Sequence, residues 1–451
     1  MATFDKKAPG VYVEEISKLP PSVASVATAI PGFVGYTERG TKNTAIRVES
    51  LIDFEEKFGY ACKIAISEED KINGLEYKLH ESMRLFYANG GGICYVVSVG
   101  NYTDAISNTA LETGISMLEP IDEVTMIVVP DAVSLETDKL ASVQNAALAQ
   151  CLELKDRVAI LDVKDTGNCN TDATNFRNSI GTKGASYGAA YYPYIKSVYD
   201  REINVYDIYK GLELSNQELE NAQYYAELSE PTEESTLFAK QLMSKPEYAK
   251  LVAKIQEQAN LLPPSGAIAG IYCANDNQRG VWHAPANMSV SGISDINVRI
   301  SDKQQGELNE NTSGKCINAI RAFQGKGILV WGARTLDGLS SEWKYISVRR
   351  FFNYVEESIQ ESTAWAVFQP NDANTWVKVR CQIENFLSNL WRDGALAGST
   401  PQEAFYVRVG INQTMTAQDI LNGYMIVEIG MAAVRPAEFI VLQFSHKLQE
   451  S

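Results

Sequence analysis

A chain of 451 residues, 45% hydrophobic and 21% charged, has globular composition and enough length for two or more domains. Forty basic against 56 acidic side chains give a formal charge of −16, spread along the chain, which argues against nucleic acid as a partner and makes salt a variable wherever copies assemble. No stretch approaches the ~18 consecutive apolar residues of a membrane-spanning helix, so no direct membrane insertion is expected.

In chain order, the first segment is extended. Pro9, Pro20, Pro21 and Pro31 exclude a helix, and Val11, Tyr12, Val13 and Glu14 read as a strand with no sequence neighbour to pair with. Such a strand needs a sheet edge elsewhere. The opening MATFDKKAPGVYVEE has no continuous apolar run of a secretory signal, which points to synthesis in a cytoplasm.

From Gly32 the pattern becomes mixed. GFVGYTERG reads as a strand, Leu51, Phe54 and Phe58 mark a short helix, and Leu75 to Asn89 reads as a helix stopped by glycines. Ile93 to Val99, Val124 to Asp131 and Val158 to Val163 are near-continuous apolar strands, with an Ala- and Leu-rich helix from Lys139 to Lys155 between the last two. Strand, helix, strand with fully apolar strands predicts a parallel sheet covered on both faces. Ser186 to Tyr194 and Ala267 to Cys273 are expected to add strands to it.

Residues 197–262 interrupt this alternation. From Leu212 to Glu234 there are seven Glu and no Lys or Arg, and Leu237 to Ala259 has helix-forming composition broken at Pro246. This reads as an acidic helical surface insertion.

Farther on, GILVWGARTLDGLSSEWKYISVRRFFNYVEESI begins at Gly327 with an apolar strand and turns through Asp337 to Ser340. Trp343 to Ser347 alternates like a strand. With Ser347 as N-cap, Val348, Phe351, Phe352, Val355 and Ile359 then mark one face of a helix. A second amphipathic helix runs from Thr375 to Trp391. Its apolar face holds Trp376, Val379, Ile383, Phe386, Leu387 and Leu390, and Lys378, Gln382, Asn385, Asn389 and Arg392 form the opposite stripe. The last apolar run is Glu438, Phe439, Ile440, Val441, Leu442, a strand by composition.

Chemistry-bearing patterns are few. Gly184-Ala-Ser-Tyr-Gly matches G-x-S-x-G, which would make Ser186 a nucleophile served by His283 or His446; yet AAYYPYI after it is a β run where an elbow requires a helix. Asn275, Asn277 and Gly280 mimic part of a calcium loop, with Arg279 at a ligand position. The seven cysteines form no CxxC pair, and three scattered histidines offer no metal set. No cofactor and no metal are expected.

Taken together, PGVYVEE with GFVGYTERG, AAYYPYI, PPSGAIAGIYCANDNQRGVWHAPAN, IRAFQGKGILVWGARTL, EWKYISVRRFFNYVEESI, WAVFQPND, FLSNLWRDGALAGSTPQEAFYV and VRPAEFIVLQF resemble, in the same order, the contractile tail sheath family. The resemblance is strong over roughly the last 190 residues and weak from about 100 to 180; members usually join the YYPY-like and PPSG-like motifs by a short turn, where this chain carries its insertion.

The resemblance implies a structural subunit and no enzyme. It implies multidomain α/β and α+β architecture: a subtilisin-like α/β domain without a catalytic site, and an α+β C-terminal sheath domain completed by strands from neighbouring subunits. The expected boundaries are a linker arm at 1–31, the α/β part at 32–325, the C-terminal domain at 326–435 and a second arm at 436–451. Implied partners are copies of the chain in stacked hexameric rings or paralogous sheath subunits, an inner tube protein gripped by the Lys378–Arg392 stripe, and baseplate and tail terminator proteins. Implied location is assembly in a host cytoplasm, then residence in a virion tail or extracellular phage-like particle. A non-contractile virion or tube component is the alternative, and a Ser186 hydrolase a further one.

Overall fold

The computed structural model describes residues 23–67, 71–228, 230–310 and 312–439. They form two compact units. One holds 26–357 with 433–439, the other 23–25 with 358–432.

The larger unit is built on a nine-stranded sheet: β1 (Pro31–Tyr36), β2 (Ala45–Val48), β3 (Cys94–Gly100), β4 (Met126–Val128), β5 (Val158–Asp162), β6 (Gly188–Tyr192), β7 (Met288–Ser289), β8 (Asn318–Phe323) and β9 (Gly327–Val330), in the order β7-β9-β8-β6-β5-β4-β1-β3-β2. The central strands β3, β1, β4, β5, β6 and β8 are parallel, with antiparallel β2 at one edge and, at the other, β9 antiparallel to β8 and β7 antiparallel to β9. Alternate residues of each strand feed two separate cores, as a period of two requires. Val34, Val97, Ile127, Ala159, Leu161 and Tyr192 point to one side. Phe33, Val96, Met126, Val128, Ile160 and Tyr191 point to the other. Both faces being apolar explains why these strands read as continuous hydrophobic runs.

Helices cover both faces. Helix α1 (Leu79–Ala88) buries Leu79, Met83, Leu85 and Phe86 on the second face, and α2 (Thr137–Leu154) buries Leu140, Val143, Ala147 and Leu148 on the first. The expected strand at Ala267 to Cys273 is instead the middle of α3 (Ser265–Arg279), packed on α1. An apolar run of this length has no decisive period, and the small residues decide it. A Cβ on Gly266 would sit 2.5 Å from the Ser82 carbonyl oxygen, and one on Gly270 2.4 Å from that of Phe86, so these glycines let α3 lie directly on the backbone of α1. Asn275 and Asn277 therefore lie on a helix, with Asn275 buried and its Nδ2 donating to the His283 carbonyl; no loop exists there to wrap a cation.

The insertion is helical, as its composition predicts. Helices at Asn216–Ala226, Glu233–Met243 and Pro246–Ala259 enclose a small core of Val205, Tyr209, Leu212, Ala222, Phe238 and Leu242. Pro246 opens the last helix, where its missing N–H costs nothing. The root of the module is fixed by Arg201, whose guanidinium is buried. It reaches Glu81 Oε2 at 2.8 Å, the Gly74 carbonyl at 2.6 Å and the Tyr77 carbonyl at 2.9 Å.

The stretch from Gly327 divides differently from expectation. Gly327–Val330 is β9 of the large sheet, paired with β8 from Phe323 back to Ile320, and so is not the start of a separate domain at 326. Trp343 to Ser347 makes one isolated bridge, Arg334 to Tyr345, and no strand. Helix α4 (Ile346–Ser362) begins one residue before Ser347, which is buried in its first turn and is no cap. The division between units falls within α4, at 357/358, and not at the 325/326 boundary expected from sequence.

In the smaller unit, Asp372 caps α5 (Ala373–Arg392), its Oδ1 accepting from the backbone N–H of Asn374 and Thr375 at 2.9 and 3.0 Å. The buried face of α5, with Val379, Ile383, Phe386, Leu387 and Leu390, packs on β10 (Phe405–Val409), which forms a hairpin with β11 (Val427–Met431). The hairpin register runs from Phe405↔Met431 to Val409↔Val427.

Candidate interaction surfaces

Two strands alone make a marginal sheet. Among the described residues β10 and β11 pair only with each other, so each outer edge presents backbone N–H and C=O groups to a further strand. Tyr406 on β10 is half exposed, and Ile411, Leu421, Tyr424 and Ile426 around the hairpin are exposed as well.

The two arms lie mostly outside the described residues. Val11, Tyr12, Val13 and Glu14 do so entirely, as do Ile440, Val441 and Leu442. Glu438 and Phe439 are described and belong to no strand. Phe439 is 72% exposed, whereas the Glu438 carboxylate is drawn inward. Arg334, 1% exposed, holds it with a two-pronged grip: Nε to Oε1 at 2.8 Å and Nη2 to Oε2 at 2.6 Å. The Tyr345 hydroxyl donates to Oε2 at 3.1 Å. Burial alone would raise the carboxyl's pKa; the Arg334 pair outweighs it and holds it below the usual range.

On α5 the stripe is incomplete. Lys378, Asn385, Asn389 and Arg392 are exposed along one side, with Arg392 Nη1 donating to Asn389 Oδ1 at 3.2 Å. Gln382 is not among them. It is buried, accepting from the Trp365 indole N–H at 2.8 Å and donating to the Ser362 carbonyl at 2.9 Å. At ~100° per residue, position 382 sits about 40° from Lys378 toward the apolar side, close enough for Trp365 to cover it.

Around Ser186 the elbow is absent. Ser186 lies in a single 3₁₀ turn, Ala185–Tyr187, that leads into strand β6, the reverse of strand into helix. The hollow beside it, about 230 Å³, is lined by Thr182, Ser313, Lys315, Leu336, Asp337 and Leu339 among others and by no histidine. His446 lies outside the described residues.

The sequence pattern does not reveal the buried arginines. Arg334 follows an apolar strand, and Arg350 directly precedes Phe351 on a helix whose apolar face the spacing marks. Arg350 is buried, gripping Asp276 at 3.0 and 2.6 Å over the ring of Tyr272.

Residues 104–336 match the phage tail sheath protein central domain, and residues 340–447 the phage tail sheath C-terminal domain. The tail sheath protein of Vibrio phage KVP40 is 23% identical over 192 residues, 42% of this chain and 27% of that relative. That of Enterobacteria phage T4 is 25% identical over 126 residues, 28% of this chain and 19% of that one. The matched spans are thus under a third of these phage relatives' length. Solved structures are matched almost end to end. The sheath of an extracellular contractile injection system, PVC, in its contracted state is 31% identical with a TM-score of 0.69, covering 99% of each chain. The helical sheath of the anti-feeding prophage, also contracted, is 30% identical with a TM-score of 0.66, covering 97% of this chain and 99% of that one.

Proposed function

The chain belongs to the phage tail sheath family, and from this we propose that it is the structural subunit of a contractile sheath that polymerises around an inner tube and shortens to drive that tube through a target cell envelope. The observation that carries the reading is the pairing of an open hairpin with two strand-forming arms. Among the described residues β10 and β11 leave two edges free, and the sequence supplies two extended segments, Val11 to Glu14 and Glu438 to Leu442. Arms from neighbours adding strands to this hairpin would make a mesh of backbone hydrogen bonds. Such a mesh survives rotation of the units it links, while side-chain contacts elsewhere break and re-form.

The rest of the molecule suits this role. Six parallel strands with helices on both faces support a subtilisin-like framework used for rigidity alone, and among the described residues Ser186 has no partner geometry for catalysis. Copies would stack in hexameric rings, alone or with paralogues, between baseplate and terminator proteins, after assembly in a host cytoplasm. The net charge of −16 opposes self-association and is screened by salt, so assembly is favoured as ionic strength rises. Electron microscopy of the purified chain across a salt series tests the reading. Striated hollow cylinders are expected; monodisperse monomers at every salt concentration would overturn it.

The tube is gripped, in this reading, by the exposed residues Lys378, Asn385, Asn389 and Arg392 of α5, without Gln382. Charge reversal of Lys378 and Arg392 together is expected to leave the fold and the cylinders intact and to empty them of tube. Both positions are exposed, so stability changes of no more than about 0.5 kcal/mol should follow. Tube content of cylinders co-assembled with the tube protein, counted in micrographs, decides it, and unchanged filling would refute the contact.

A further inference from the structure

We propose that Arg334 and Arg350 are positioning residues that root both ends of the described chain in the larger unit: Arg334 holds the start of the C-terminal arm, and Arg350 holds Thr28, where the chain enters that unit. This rests on the sheath reading above. The C-terminal root is the grip of Arg334 on Glu438, which is the first residue of the arm's apolar run and has both carboxylate oxygens engaged.

What makes the grip an anchor is how firmly Arg334 is itself held. Its backbone N–H donates to Asn318 Oδ1 at 2.7 Å, and its carbonyl accepts from Asn318 Nδ2 at 2.8 Å. The same Nδ2 reaches the Ala190 carbonyl at 3.2 Å, so one side chain ties the arginine to both β6 and β8. Two residues on, the Leu336 N–H donates to the Gly188 carbonyl at 2.8 Å. Nη1 of Arg334 is occupied by the Asn309 carbonyl at 3.0 Å. The guanidinium is thus aimed at Glu438 by contacts independent of the arm.

The N-terminal root repeats the arrangement. Arg350, fixed by Asp276, donates from Nη2 to the Thr28 carbonyl at 2.9 Å. Cys273 Sγ lies 3.4 Å from the Ala29 carbonyl, and Ile30 exchanges backbone and side-chain bonds with Thr125 at 2.9 Å before the chain enters β1 at Pro31. Three successive residues are therefore held before the first strand begins. Both clamping arginines come from one short segment, residues 334–350, that follows β9 directly.

The test compares hydrogen exchange and contraction for the wild type, Glu438→Gln, Arg350→Lys and the milder Tyr345→Phe. Losing a charged hydrogen-bonded pair should speed amide exchange at residues 433–439 by about tenfold or more in Glu438→Gln, and by less in Tyr345→Phe. Arg350→Lys should do the same at residues 26–30. Exchange in β4 and β5 should stay as in the wild type, which a general loss of stability would not allow. Variant sheaths should assemble and then break into short pieces on contraction. Sheaths that contract intact despite loosened roots, or roots that stay protected, would overturn the anchoring role while leaving the sheath reading in place. A wild type that never forms cylinders would remove both.

Discussion

Replacing Arg201 with Ala is expected to destabilise the larger unit by about 3–5 kcal/mol, the cost of leaving a buried carboxylate without its partner. Glu81 is 3% exposed and Arg201 5%, and the 2.8 Å contact between them is the principal compensation for removing the Glu81 charge from water. The arginine also satisfies the Gly74 and Tyr77 carbonyls, which would lose a donor. Replacing both charges with apolar groups, Arg201→Met with Glu81→Leu, should recover part of the loss, because Glu81 then leaves no unpaired carboxylate, while the Gly74 and Tyr77 carbonyls still lack their donor. Denaturant unfolding monitored on the purified chain checks both, and a loss below about 1 kcal/mol for Arg201→Ala would contradict the account.

The same pair gives a pH signature. Burial would raise the Glu81 carboxyl, but Arg201 foremost, helped by His80, pulls it down to about 2 from its ordinary 4.5. A carboxyl depressed by folding contributes stability that is complete above the unfolded value and is lost as pH falls toward the folded one. The difference between wild type and Arg201→Ala should therefore shrink as pH falls, beginning above 4.5, where the carboxyl left buried without Arg201 takes up a proton, and ending near 2. A difference that stayed constant through this window would mean that the two groups are not coupled.

Much of this molecule is legible without its structure. Apolar runs such as Val158 to Val163 announce strands because both sheet faces are covered, leaving no polar alternation to blur them. The insertion's helices follow from composition and from Pro246 at a first-turn position. Legibility fails where a small-residue apolar run has two possible periods. Gly266 to Cys273 is a helix because its glycines meet the backbone of α1, a long-range fact invisible in the local pattern. It fails again at 326, since β9 is apolar in itself and only its pairing with β8 shows which unit owns it. On the candidate surfaces, Lys378, Asn385, Asn389 and Arg392 keep the exposure their spacing implies, and Gln382 does not, because Trp365 supplies it with a partner. The arginines that fix the arm roots carry no periodic mark, and only burial reveals them.

Removing residues 440–451, or residues 1–22, is expected to leave the described cores folded and to abolish cylinders. Among the described residues, the two cores of the sheet and the core of the insertion each form an apolar cluster of their own, so each truncated chain should keep the wild-type far-ultraviolet spectrum and unfolding midpoint. Assembly is another matter. A strand added along the five-residue edge of β10 or β11 makes a few backbone hydrogen bonds at about 0.5–1.5 kcal/mol each, or roughly 2–6 kcal/mol per strand. At about 1.4 kcal/mol per factor of ten, its loss weakens each contact between neighbours roughly 30- to 10⁴-fold. Contacts repeated along a polymer compound that loss, because in the proposed mesh every subunit both gives arms and receives them. Sedimentation and negative-stain microscopy of the truncated chains measure the outcome. Cylinders of wild-type length from either truncation would show that the open hairpin edges are not where neighbours are joined, and the mesh would have to be sought on the exposed apolar residues around Leu421 and Tyr424 instead.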